Sequence, residues 1–184
     1  MDPSFRHTRE VVDTIETLIN ETIVTSYVFK YYKLDMLHII KYMNDKKQLH
    51  REDGPALTEY FPESTEIFLE CWYKNGKKHR ENEPAKIVNT RTHVMKILYE
   101  YSTIKYWYQD GKKHRPLSSS LSSSAEEEEE HLPAVVTYKN GILYSEEWYI
   151  NGLKHRSVGP AIIEYQPDGI LCLSKTWYRD NMIH

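Results

Sequence analysis

Between Val11 and Ile19 the apolar residues recur at helical spacing. Val11, Val12, Ile15, Leu18 and Ile19 share one face, and the opposite face is charged. With Asp2-Pro3 as N-cap and first helical position, this pattern predicts a helix over residues 1 to about 22. Ile23 to Tyr32 are mostly β-branched or aromatic and predict a strand. Leu34 to Met43 fits a strand or a short second helix. The amphipathic helix needs a surface to cover, so residues 1–41 are expected to cap the end of a repeat array.

From residue 42 the pattern becomes a repeat. Trp-Tyr-x-(Asn/Asp)-Gly-x-x-His-Arg runs from Trp72 to Arg80, from Trp107 to Arg115 and from Trp148 to Arg156. A degenerate copy spans Trp177 to His184, with Asn181 in place of glycine, and a relic starts at Tyr42 and rejoins at His50-Arg51. Pro55-Ala56, Pro84-Ala85 and Pro160-Ala161 follow five residues after a histidine, and Pro133-Ala134 follows a longer insertion. Strand-like runs come next, then a second turn such as Asn140-Gly141 or Asp168-Gly169. The basic unit is 29 residues, from His50 to His79 and again from His155 to His184.

Six of the seven glycines follow Asn or Asp. Such dipeptides favour two-residue type I′ turns, because both central residues need positive φ. Hairpins in succession, with no helical pattern between them, predict a mainly β antiparallel meander over residues 42–184. The proline of each repeat should mark a bend or an N–H position facing no neighbour.

Tyr73-Lys74-Asn75-Gly76-Lys77-Lys78-His79 resembles the centre of a MORN repeat, aromatic-x-Asn-Gly-Lys-x-His-Gly-x-Gly. The form with His-Arg-x-x-Gly-Pro-Ala is similar to the MORN-like repeats of bacterial and large-DNA-virus proteins. The chain departs from the MORN pattern by its arginine and its extra proline. The resemblance implies a single elongated, twisted sheet of consecutive hairpins, and roles in scaffolding, membrane proximity and partner binding.

The chain carries a net charge of −3, of which Glu126 to Glu130 alone supply −5. Residues 116–131 form a Ser/Glu-rich insertion of low complexity, expected to be a mobile surface loop. It could fold back on the lysine-rich turns and compete with an acidic partner. Ser123 and Ser124 each precede a glutamate by three residues, a spacing that suits regulatory phosphorylation, which adds about −1.5 to −2 charges per site. In-register repeats would line up Lys77, Lys78, Arg80, Lys112, Lys113, Arg115, Lys154 and Arg156 as a basic edge. That edge could meet an acidic protein face or anionic phospholipid, or could simply be a solvated edge that discourages strand pairing. The overall acidity disfavours nucleic acid.

Trp72, Trp107, Trp148 and Trp177, with their tyrosines, are expected to be structural and to stack on their counterparts in neighbouring repeats. His79, His114 and His155 recur once per hairpin, which suits a structural role better than a catalytic centre built once. The expected roles are an imidazole bonded to a turn carbonyl and a guanidinium over an aromatic ring or paired with an acid. Arg51 could pair with Glu52, Asp53 or Glu59.

Cys71 and Cys172 give neither a disulfide framework nor a metal set, and no phosphate-binding loop, nucleophile elbow or zinc motif is present. No cofactor and no enzymatic activity are expected. The absence of a signal-peptide pattern and of a bilayer-length apolar run suggests a cytoplasmic protein (or a virion protein if viral), neither secreted nor transmembrane. The leading expectation is a repeat scaffold for protein–protein interaction or assembly, with self-association through a terminal sheet edge. The alternatives are a peripheral adaptor on anionic membranes and an antitoxin-like binder of a partner toxin.

Overall fold

The computed structural model describes residues 8–19, 22–95, 98–116 and 131–183. The chain divides into two compact units, one ending at Lys78 and the other beginning at His79. Among the described residues every regular element is a β-strand.

In the first unit, β1 (Thr8–Ile19), β2 (Thr22–Lys33), β3 (Met36–Met43), β4 (Leu57–Tyr60) and β5 (Ile67–Cys71) pair consecutively and antiparallel. A short hairpin follows, β6 (Tyr73–Lys74) with β7 (Lys77–Lys78). The second unit alternates long and short hairpins. It begins with β8 (Lys86–Met95) and β9 (Leu98–Tyr106), then the short pair β10 (Tyr108–Gln109) and β11 (Lys112–Lys113). Next come β12 (Val135–Lys139), β13 (Ile142–Glu147) and the short pair β14 (Tyr149–Ile150) and β15 (Leu153–Lys154). Last come β16 (Ile162–Tyr165), β17 (Cys172–Thr176) and the short pair β18 (Tyr178–Arg179) and β19 (Met182–Ile183). The six long strands of this unit form one antiparallel sheet in chain order, with β9 paired to β12 and β13 to β16.

The N-terminal helix predicted from periodicity is not observed: Thr8–Ile19 is a strand paired along its whole length with Thr22–Lys33. Asp2-Pro3, the expected helix start, lies outside the described residues. Seven of the twelve residues of β1 are Thr, Val or Ile. Such side chains lose rotamer freedom on a helix and suit a pleated surface. A partner strand two residues away then favours the extended form, reinforced by a cross-strand ion pair between Lys30 and Asp13 at 2.8 Å. Met36–Met43, undecided from sequence, is also a strand, and Leu34 and Asp35 make its turn at φ 49° and 61°.

The Asn-Gly and Asp-Gly pairs of the short hairpins have both residues at positive φ, for example Asn75 at 48° and Gly76 at 79°. In the last hairpin Asp180 and Asn181 hold the same conformation at 51° and 66° without glycine, which asparagine tolerates better than other side chains. Each proline stands just ahead of a strand rather than within it: Pro55, Pro133 and Pro160 each precede β4, β12 and β16 by two residues. The alanine after it is the most enclosed position of the repeat. Ala56, Ala85, Ala134 and Ala161 are all 0 % exposed. Ala134 donates its N–H to Glu147 O at 2.9 Å and accepts the N–H of Trp107 at 2.9 Å, so it joins strands on both sides. The equivalent Ala56 joins Cys71 and Tyr42 in the first unit.

Candidate functional site: the stacked hairpin face

Each short hairpin docks on the end of the previous motif through two backbone donors. In the first unit, Asn75 donates its N–H to His50 Nδ1 at 3.2 Å, and Gly76 donates to Leu49 O at 2.9 Å. In the second unit, Asp110, Asn151 and Asp180 donate to Nδ1 of His79, His114 and His155, each at 3.4 Å. Gly152 and Asn181 donate to the carbonyls of Lys113 and Lys154 at 2.9 and 3.0 Å.

The histidine therefore accepts a turn N–H, where a bond to a turn carbonyl was expected. A backbone N–H can only donate, so each of these bonds uses the Nδ1 lone pair. At His155 and His79 the same Nδ1 also lies 3.0 and 3.6 Å from a carboxylate oxygen of Asp180 and Asp110, so there its role as donor or acceptor depends on the tautomer. In the first unit the Nε2 of His50 faces Glu52 at 3.4 Å.

His114 gives this arrangement a pH dependence. Its pKa is held below the usual 6.5 by burial and by the His131 ring, whose centroid lies 5.3 Å away. A depressed histidine pKa favours the neutral folded form, so its contribution is present above about pH 6.5 and is lost as pH falls through the lower folded value. Urea midpoints should fall on acidification over that window, and by less in His114→Asn, whose amide oxygen replaces Nδ1 without titrating. Identical pH profiles for the two proteins would remove His114 from this role.

Three of the arginines that follow a histidine, Arg51, Arg115 and Arg156, fold back over an aromatic ring of their own motif. The guanidinium carbon lies 4.0 Å from the Tyr42 ring centroid for Arg51, and 3.9 Å from the tryptophan centroid for Arg115 over Trp107 and Arg156 over Trp148. Arg80, Arg115 and Arg156 also donate to the carbonyls of Pro84, Pro133 and Pro160 at 3.3–3.4 Å. Arg51 pairs with Asp53 at 2.8 Å, which holds that carboxyl below its ordinary value chiefly through the hydrogen bond. A Cβ at Gly54 would stand 2.9 Å from the Arg51 guanidinium carbon, the movable end of that side chain. At the matching position of the next motif Glu83 stands instead and pairs with Arg80.

Trp107 and Trp148 are buried, at 8 % and 5 % exposure, but they do not stack on each other. Successive motifs are separated by two strands, or about 9.6 Å, whereas ring centroids stack at about 4.5–7 Å. Each ring instead carries the guanidinium of its own motif's arginine. The Trp148 indole N–H donates to His131 O at 2.8 Å, while that of Trp107 is buried with no hydrogen-bond partner among the described residues.

The same spacing organises the tyrosines and lysines. Within each of the first three short hairpins the motif tyrosine faces the second lysine across the strand pair: Tyr73 with Lys78, Tyr108 with Lys113, Tyr149 with Lys154. In the second unit the ammonium of Lys113 lies 4.4 Å from the Tyr149 centroid and 5.5 Å from that of Tyr106. Lys154 lies 5.6 Å from Tyr149 and 5.1 Å from Tyr178. Lys86, register partner of Tyr106, stands 5.0 Å over its ring. Glu147 accepts from the Tyr149 hydroxyl at 2.8 Å and pairs with Lys154 at 3.1 Å. Burial, then this bond to Glu147, pushes the Tyr149 pKa far up, while burial pulls that of Lys113 down.

The predicted basic edge therefore resolves into separate sets. Lys77 and Lys112 are exposed at their hairpin tips, where the later copies carry Leu153 and Met182. Lys78, Lys113 and Lys154 are half-buried against tyrosines, and Arg80, Arg115 and Arg156 donate to the proline carbonyls. Trp72 is half-buried and Trp177 is 46 % exposed. Ser123, Ser124 and Glu126 to Glu130 lie outside the described residues. Sequence reading passed over Lys86, Tyr106 and Glu147, which lie outside the nine-residue motif. The tyrosine–lysine pairing was available from the two-residue turn, which sets residues five apart opposite each other.

Cys71 is buried and Cys172 exposed, both as free thiols. Among the described residues no helix is long and apolar enough to cross a membrane, and no three His, Cys, Asp or Glu side chains converge as a metal set. No family model, curated protein or solved structure matches the chain.

Proposed function

We propose that this chain is a non-enzymatic, MORN-like repeat scaffold that docks other protein chains, its own copies included, through the face of its last hairpins. The observation that carries this reading is the contrast between equivalent tryptophans: Trp107 and Trp148 are buried, whereas Trp177 is 46 % exposed. Leu171, Leu173, Met182 and Ile183 around it are 57–72 % exposed, and β17 has one strand neighbour among the described residues. An apolar surface beside an unpaired strand edge is a template for another chain. The alternative of an anionic-membrane adaptor has less support, because Lys113 and Lys154 are drawn in against tyrosines rather than displayed with Lys112.

Leu173→Lys tests the reading by placing a charge on that edge. Sedimentation velocity across a concentration series, with quantitative mass spectrometry of co-purifying proteins, should show association in the wild type that the variant loses. A wild type that stays monomeric and retains no protein that L173K loses would sink the proposal.

A further inference from the structure

We propose that the strip of Lys86, Tyr106, Lys113, Tyr149, Lys154 and Tyr178 on the second unit docks an acidic peptide in polyproline II conformation. Its ligand carries a carboxylate at every third residue. This strip meets the terminal face only at Tyr178, the register partner of Ile183, and its centre, at Lys113 and Tyr149, lies in the two preceding hairpins.

Charge comes first. Three ammonium groups, those of Lys86, Lys113 and Lys154, are held against tyrosine rings in one row, and among the described residues Glu147 is the acid that pairs with the row. Glu147 is engaged with Lys154 and with the Tyr149 hydroxyl. The Lys113 ammonium, set between Tyr106 and Tyr149, makes no hydrogen bond or ion pair with any described residue. Among the described residues nothing occupies its three N–H donors, which a ligand can use. The row keeps a positive excess on a surface whose side chains are all half-buried, so ligand carboxylates would meet partly desolvated, pre-positioned cations.

Spacing comes second. Lys113 and Lys154 occupy the same position in successive repeats, and each repeat adds two strands to the sheet. Strands lie about 4.8 Å apart, so equivalent ammonium groups recur every ~9.6 Å. A polyproline II helix has three residues per turn and rises about 3.1 Å per residue, so every third side chain returns to one face after ~9.3 Å. An extended β-strand matches poorly: its same-face residues recur at even intervals, about 6.8 or 13.6 Å apart. The tyrosines between the lysines supply the aromatic surface on which proline rings pack in other polyproline II grooves.

The test is calorimetric titration of the full chain with two peptides of equal composition, (Glu-Pro-Pro)4 and a version with its four glutamates contiguous. The wild type should bind the periodic peptide about tenfold more tightly, and added salt should weaken that binding. Lys113→Met keeps the aliphatic stem between the rings and removes the charge. It should lose about tenfold in affinity for the periodic peptide, as expected for removal of a charge-assisted contact, with its near-ultraviolet circular dichroism unchanged. L173K should bind the peptide as the wild type does, which separates this strip from the terminal edge. Equal affinity for the two peptides, wild-type affinity in K113M, or binding to anionic vesicles with no binding to either peptide would each overturn the proposal.

Discussion

Replacing Trp148 by alanine is expected to lower the unfolding free energy by about 3–5 kcal/mol, the usual cost of removing a large buried aromatic ring. Several interactions fail together. The ring is 5 % exposed, so the substitution opens a cavity in the repeat. Arg156 loses the surface it lies on at 3.9 Å, and His131 O loses the indole donor at 2.8 Å. The backbone bond from residue 148 to Ala161 O would remain available, so the sheet should be weakened rather than re-threaded. Urea denaturation followed by circular dichroism should show a lower midpoint with a similar slope, as expected for lost stability within an unchanged fold. Trp177→Ala, at an exposed copy of the same position, should cost much less. Equal losses at the two sites would mean that burial of the motif tryptophan does not set its contribution.

Ala161→Leu should destabilise the chain by about 1–3 kcal/mol, because overpacking forces side chains and backbone out of place. Ala161 is 0 % exposed, and its carbonyl accepts the Trp148 N–H at 2.9 Å, so a longer side chain must displace neighbours on a strand already tied to the preceding motif. Val158→Leu, at a 60 % exposed site three residues earlier, is the matched control and should be close to neutral. Thermal unfolding of the two variants beside the wild type decides the matter. An unchanged melting temperature in A161L would show that the Pro-Ala site is looser than its burial implies.

Much of the repeat was legible because its signals are local. Asn-Gly and Asp-Gly demand positive φ at both residues, which a two-residue hairpin supplies, and Asn75-Gly76 and Asp110-Gly111 adopt it. The strand-like runs between turns became strands for the same reason: no competing helical pattern lies between them. The N-terminal segment went the other way. Val11, Ile15 and Leu18 satisfy a helical period, but neighbours Val12, Thr14 and Thr17 suit a strand as well, and pairing with β2 settled it. Such a choice between two plausible local forms lies in long-range pairing, which a periodicity cannot contain.

The hairpin face shows the same division at the level of side chains. Repetition marked tryptophan, histidine and arginine as structural, but not what each would touch. Tryptophan was expected to meet tryptophan, and it meets arginine. Histidine was expected to bond a carbonyl, and it accepts an N–H from the next turn. The lysines were grouped as one edge, and the sheet divides Lys112 from Lys113, its neighbour in sequence, because adjacent strand residues point to opposite faces.

By itself the sequence determined the unit: its period, its turn type, the place of the Pro-Ala step and the residues that recur in it. These follow from backbone geometry within a few residues. The tertiary structure alone decided how one unit meets the next. Two strands separate successive copies, so equivalent aromatic rings stand too far apart to stack, and lysines fill the interval between the tyrosines. That distance exists only after the sheet has formed. It turns a repeated tyrosine–lysine pair into the continuous strip of Lys86, Lys113 and Lys154 with the tyrosines between them.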